Sequence, residues 1–230
     1  MTLYLIRHAQ SANNARYERT GSSNGRVEDP ELTELGTQQA EVLSDYLARN
    51  AEAGGEYRFT HLYCSLMVRA VATATAVSRS CNLPLVAWPE VHEQAGIFLA
   101  DEQSGELIGR PGKSRSYFER HYPDLQLPES LNEHGWWNRP VETETEWKQR
   151  AREFLNELGR RHGSGEDTVA VITHGGFYHE VILALTGGAG TDGLWFTMYN
   201  TGITRIDFHS THTSVVYHNR LEHLPPELIS

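Results

Sequence analysis

The sequence predicts an α/β fold, a three-layer α/β/α sandwich around a mainly parallel sheet, with an antiparallel edge and an inserted cap segment. Three observations carry that expectation. Short apolar runs alternate with amphipathic helical stretches through most of the chain, the pattern of layered α/β folds. "TVAVIT" (168–173) is a continuous apolar run of the kind found in parallel strands covered on both faces. Towards the C-terminus, "GITRIDFH" (202–209) and "TSVVYH" (213–218) read as a hairpin, which supplies the antiparallel edge.

The elements follow in order. "LYLIR" is a short buried strand that runs straight into His8. Residues 12–33 are rich in Asn, Arg, Gly, Ser and Glu and read as a long exposed loop. Leu35, Gln39, Val42, Leu43, Tyr46 and Leu47 recur at helical spacing, so a helix is expected from Glu34 to Asn50 with Thr33 as its N-cap. "THLYCS" (60–65) is a second strand, and Ser65 is expected to cap a helix from Leu66 to Ser80 that ends before Pro84. "LPLVAW" (83–88) is a third strand. Residues 88–142 hold Gly, Pro and many aromatics with little periodicity, apart from a helical piece near Arg115 to His121. A segment of that length within a compact fold is usually a lid or cap. "TETE" (143–146) is a capping box, Thr143 answered by Glu146, and Trp147, Ala151, Phe154, Leu155 and Leu158 form one apolar face after it. "HGG" follows "TVAVIT" and opens a short helix to Thr186, closed by Gly187 and Gly188. The expected organisation is a single domain over 1–230 with a cap or lid insertion at about 88–142.

Twenty basic against thirty acidic residues give a net charge of −10, which argues against general nucleic-acid binding and makes any cluster of arginines notable. No window approaches the roughly 18 continuous apolar residues of a membrane span. The N-terminal apolar run stops at Arg7, too short for the core of a signal peptide. Two cysteines, Cys64 and Cys81, could pair, but they suggest no secreted disulfide framework, and a reducing compartment is the simpler reading. The expected protein is cytoplasmic, with neither nucleic acid nor membrane among its partners; a homodimer is left open.

Three strands end in chemistry: Arg7-His8, Ser65 with Arg69 behind it, and His174-Gly175. Ligands of such sheets bind beyond the carboxyl ends of the strands, so these residues are expected to share one crevice. Two guanidiniums there can grip a dianion bidentately, as lysine cannot. Helix N-termini after Ser65 and Gly176 add backbone N–H donors. A histidine in that setting can donate a hydrogen bond, or can attack phosphorus and carry the phosphoryl group. A carboxylic acid opposite it would protonate the leaving alkoxide.

The motifs resemble the histidine phosphatase superfamily, in its phosphoglycerate-mutase-like branch. "RHAQS" (7–11) is similar to the signature Arg-His-Gly-x-[Ser/Thr], with Asn14 at the usual spacing. "DPELTELGTQQA" (29–40), "CSLMVRAVATA" (64–74), "VHEQAG" (91–96), "ITHGG" (172–176) and "NTGITRID" (200–207) resemble the family's other blocks, in its order. The resemblance implies that His8 is the phosphorylated nucleophile and that Arg7 and Arg69 bind phosphoryl oxygens. It further implies that His174 binds and polarises the group and Glu93 protonates the leaving oxygen. Ser11, Asn14 and the Gly175 backbone would be supporting phosphate or substrate contacts. No cofactor and no metal are implied, and the partner is a small phosphorylated substrate.

The pattern departs from the family at several points. Ala9 replaces the glycine, and no proline follows Ser65. Glu93-Gln94-Ala95-Gly96 stands where mutases continue Glu-Arg-x-Tyr-Gly. Their paired carboxylate-binding arginines have no clear counterpart among Arg110, Lys113 and Arg115. The expected activity is therefore a metal-independent phosphatase. The alternatives are a mutase-type phosphotransferase and a low-activity phosphate-ligand or interaction module of the same fold. Glu90 and Asp101 compete with Glu93 as proton donor. His209, His212, His218 and His223 match no zinc spacing, and His179 does not share a helix face with His174. Trp88, Phe98, Tyr117, Phe118, Tyr122, Trp136 and Trp137 either line the site or form the core of the insertion; lining would favour an apolar or aromatic leaving group.

Overall fold

The computed structural model describes residues 1–163, 165–187 and 193–230. Seven strands form one sheet: β1 (Thr2–Arg7), β2 (His61–Cys64), β3 (Leu85–Ala87), β6 (Leu125–Gln126), β7 (Thr168–Thr173), β8 (Ile203–Phe208) and β9 (Thr213–Arg220). Their order is β6-β3-β2-β7-β1-β8-β9. The first five are parallel, and β8 and β9 supply the antiparallel edge. β4 (Phe98–Ala100) and β5 (Leu107–Gly109) pair as a separate hairpin.

Side chains alternate across the two central strands. Tyr4, Ile6, Ala170 and Ile172 face one side, packed under α2 (Glu34–Glu52) and α3 (Val68–Cys81) through Leu43, Leu47, Val71 and Val77. Leu3, Leu5, Val169 and Val171 face the other, under α5 (Glu144–His162) and α6 (Gly175–Leu185) through Phe154, Leu158, Phe177 and Val181. Each buried Leu, Ile, Val or Phe here contributes about 1.5–3 kcal/mol. Both faces being covered is why "TVAVIT" lacks a polar side.

The expected caps of two long helices are present. Thr33 Oγ1 accepts the Gly36 N–H at 3.0 Å, and Thr143 and Glu146 form a reciprocal capping box. Two expectations are corrected. Residues 12–33 are not all loop: α1 (Ala12–Thr20) is a helix, started by a capping box between Ser11 and Asn14. It buries none of its residues, so it carries no apolar stripe by which a sequence reveals a helix. Ser65 does not cap α3, whose N-cap is Met67 without a side-chain bond; the serine hydroxyl instead meets His174. Gly188 lies outside the described residues.

Between Trp88 and Glu142 run a short 3-10 turn (Pro89–Val91), the β4–β5 hairpin, α4 (Arg115–His121) and β6, which pairs with β3 at the sheet edge. Its aromatics are mainly core. Trp88, Phe118 and Trp137 are buried, and Tyr117 and Tyr122 pack against the α2–α3 core. No described helix is long and apolar enough to cross a membrane.

Candidate active site

The strand order β2-β7-β1 sets Ser65, His174 and His8 side by side at one end of the sheet. His8 continues the ladder by donating its N–H to Thr173 O at 2.9 Å, and its own carbonyl accepts from Asn200 Nδ2 at 2.8 Å. The residue is 2% exposed. Its Nδ1 lies 2.7 Å from the Ala9 carbonyl oxygen. A carbonyl can only accept, so Nδ1 carries the proton and Nε2 the lone pair. Arg69 Nε donates to that Nε2 at 3.0 Å. Burial, with Arg69 and Arg7 nearby, holds the imidazole pKa well below its usual value, so the ring is neutral. Ala9 keeps out of the left-handed backbone region, which is why alanine suffices where a glycine was expected.

His174 is fully buried, its ring centroid 4.9 Å from that of His8. Its Nε2 meets Ser65 Oγ at 2.6 Å, while its Nδ1 has no partner among the described residues. Burial, then Arg69 and His8, also lower its pKa well below the usual value. Arg7 donates from Nη1 to Met198 O at 2.6 Å; its Nε is buried, has no partner among the described residues and faces Gly175. Gly175 begins α6, so its backbone N–H has no partner within the helix. The polar atoms of Ser11 are engaged with Asn14 Oδ1, at 3.0 Å from N and 2.8 Å from Oγ, which leaves the Asn14 NH2 to donate into the crevice.

Glu93 lies on the same crevice of about 200 Å³, with His8, Ser11, Asn14, Arg26 and Arg69. Its Oε1 accepts N–H bonds from Phe177 at 3.0 Å and Gln94 at 2.9 Å. A Cβ on Gly176 would stand 2.5 Å from that oxygen, so the second glycine of "HGG" makes room for the carboxylate. The competitors stand elsewhere. Asp101 ties its own turn through Gln103 and Ser104, and Glu90 lines a larger cavity of about 730 Å³ behind the loop. That cavity backs onto His92 and Trp137 and is not lined by His8.

Three supporting groups were not singled out as site residues in the sequence, although Asp29 opens the block at 29–40. Asp29 is buried 3.8 Å from Arg69 Nη1 and accepts the Val68 N–H; burial pushes its carboxyl up to about 6 despite Arg69. Arg150 pairs bidentately with Glu142, both bonds at 2.7 Å, and its Nη1 donates to the carbonyls of Glu90 and His92. Glu142 N–H in turn donates to Ala95 O, so this pair clasps the Glu93 loop from both sides. Arg26 is the third.

The late histidines are engaged separately: His218 with Tyr178, His223 with Thr201, His209 stacked on His212. Among the described residues, His61, His162 and Asp167 could together hold a metal ion. They sit at the amino ends of β2 and β7, away from His8, and both ring nitrogens of His162 have protein partners, Asp167 and Tyr63.

A model of the histidine phosphatase superfamily (branch 1) matches residues 3–221. The chain belongs to that superfamily. It is 31% identical over 230 residues to a putative phosphoserine phosphatase 2 of Hydrogenobacter thermophilus, covering 96% of each chain. It is 29% identical to a phosphoglycerate mutase-like protein 1 of Arabidopsis thaliana, over 80% of this chain and 71% of that one. Among solved structures, a phosphoserine phosphatase mutant of Entamoeba histolytica in complex with phosphoserine superposes with a TM-score of 0.59 at 20% identity, covering 97% and 99% of the two chains. The mycobacterial glucosyl-3-phosphoglycerate phosphatase gives 0.60 at 18% identity, over 95% and 98%. These two share the fold.

Proposed function

We propose that this phosphoric monoester hydrolase acts on a small phosphorylated substrate through a phosphohistidine on His8, without a metal ion, in a single domain capped by residues 88–142. The supporting observation is the set of donors around His8. Arg7 Nε and His174 Nδ1 are buried without acceptors among the described residues, near a neutral ring whose Nε2 holds a lone pair. Buried polar atoms rarely go unpaired, and an acceptor common to both is a phosphoryl oxygen.

In the first step Nε2 attacks phosphorus as the ester P–O bond breaks. Arg69 Nε passes from Nε2 to a phosphoryl oxygen, which frees the lone pair. Arg7, Arg69, the Asn14 amide, the Gly175 N–H and His174 Nδ1–H share the charge on the equatorial oxygens. Ser65 donates to His174 Nε2 and so keeps the proton on Nδ1. Glu93 Oε1 is held by two N–H groups, which leaves Oε2 to carry the proton given to the departing alkoxide. In the second step Glu93 takes a proton from water, the oxygen attacks phosphorus, the P–Nε2 bond breaks, and phosphate leaves with His8 neutral again.

The test is a panel of phosphomonoesters assayed in EDTA on wild type and His8→Ala. Turnover is expected to persist in EDTA and to fall at least about a thousandfold in the folded variant. A variant that hydrolyses esters at the wild-type rate would overturn the assignment.

A further inference from the structure

Arg7 and Arg69 converge on His8, but a third guanidinium faces the same crevice. Arg26 lies in the loop after α1, with its Nε buried and without an acceptor among the described residues. No carboxylate pairs with it among the described residues, in a chain with ten more acidic than basic side chains. Arg16, the other cation on this wall, is already committed: its Nε donates to Asn24 O, and its guanidinium packs against Gly25. Arg26 is held in place without being neutralised. Its guanidinium carbon lies 4.2 Å from the centroid of the Phe98 ring, so the loop after α1 meets the β4–β5 hairpin there. The adjoining backbone is fixed by Asn13, which donates to Val27 O at 2.8 Å and accepts from Val27 N at 3.0 Å. Of the insertion's aromatics only Phe98 reaches this edge, through Arg26, and none lines the crevice.

We propose that Arg26 is a specificity residue that binds a second anionic group, a carboxylate or a second phosphate, on the alcohol that leaves. The inference rests on the reading of the crevice as a phosphomonoesterase site. A planar fork stacked on a ring presents its N–H edge to such a group and matches it bidentately. The preferred substrates are then phosphomonoesters of acidic alcohols rather than of apolar or aromatic ones.

Two ester pairs test this: 3-phosphoglycerate against glycerol 1-phosphate, and 1,3-propanediol bisphosphate against its monophosphate. Wild type is expected to prefer the more anionic member of at least one pair by about tenfold or more in kcat/KM, as suits a hydrogen bond to a charged group. Which pair shows it tells carboxylate from phosphate. Arg26→Met should bring that ratio towards one, mainly through KM, and Arg26→Lys should keep part of it. Calorimetric binding of the same compounds to His8→Ala, with and without Arg26→Met, gives the ratio with no turnover required. Absence of turnover in wild type, or full turnover in His8→Ala, with the binding preference intact would therefore refute the phosphohistidine reading alone. Equal affinity for both members of both pairs, or an Arg26→Met effect equal on all four, would refute the role of Arg26; the latter would make it a ligand of the phosphoryl group itself.

Discussion

The two walls of the crevice are built differently. The wall carrying Arg7, His8 and His174 grows out of the central strands, and main-chain bonds of β1 and β7 continue into His8 and Ser65. The wall carrying Glu93 belongs to the inserted segment, held outside the sheet ladder by the Arg150–Glu142 clasp and by the bond of its own carboxylate to the N-terminus of α6. A nucleophile on a sheet ladder cannot shift without unpairing strands, whereas an acid on a clasped loop can be displaced while the fold stays intact. The two walls should therefore fail separately, one through phosphate binding and one through leaving-group protonation.

Glu93→Gln makes the sharpest separation. Turnover of alkyl phosphates should fall about 10²–10⁴-fold, the usual worth of a general acid. Esters of good leaving groups such as p-nitrophenol need no proton and should lose far less in the first step, seen as a retained burst of nitrophenol. Equal loss in that burst for both ester types would place the acid elsewhere.

The other wall responds to pH through Asp29. Its carboxyl is raised from 3.8 to about 6, so between those values the folded protein holds a proton that the unfolded chain has released. That stabilisation is complete below about pH 4 and is lost as pH rises through about 6. The difference amounts to about 3 kcal/mol. Asp29→Asn cannot lose a proton there. Urea denaturation at pH 4 and pH 7.5 should show wild type losing that amount relative to the variant, and parallel pH curves would show that Asp29 titrates alike in both states.

The nucleophile's wall was legible in the sequence because it is made of contiguous motifs on strands whose apolar pattern is strong, as at Ile6-Arg7-His8 and Ile172-Thr173-His174. The supporting groups were not. Asp29 reads as one residue of a polar loop, and Arg150 and Glu142 carry no motif, because their roles depend on Arg69, Glu90 and His92, distant in sequence; α1 reads as loop because it has no apolar stripe. Ser65 misled for the same reason: its position suits a cap, but β7 brings His174 within 2.6 Å of its hydroxyl. The aromatics of the insertion drew attention by size alone, and most of them turned out to be core.

The clasp can be removed without stranding a charge. Arg150→Met together with Glu142→Leu replaces a buried ion pair by apolar side chains, an exchange that is often neutral for stability. The carbonyls of Glu90 and His92 lose their donor, so alkyl-ester turnover should fall about tenfold, with the affinity for inorganic phosphate unchanged. A parallel loss of phosphate affinity would show that the walls are not independent.

The smallest effect is expected at Gly176. An alanine Cβ there would stand 2.5 Å from the Glu93 and Gln94 side-chain oxygens, both at the ends of flexible chains that can move aside. The helix start tolerates alanine, so stability should change by less than about 1 kcal/mol. Glu93 would leave the Phe177 N–H that now fixes Oε1, and the proton on Oε2 would lose its aim. Alkyl-ester turnover should then drop roughly threefold to tenfold while the nitrophenol burst holds, a weaker copy of Glu93→Gln. If Gly176→Ala instead weakens phosphate binding, α6 serves the anion and not the acid, and the division of labour between the walls must be redrawn.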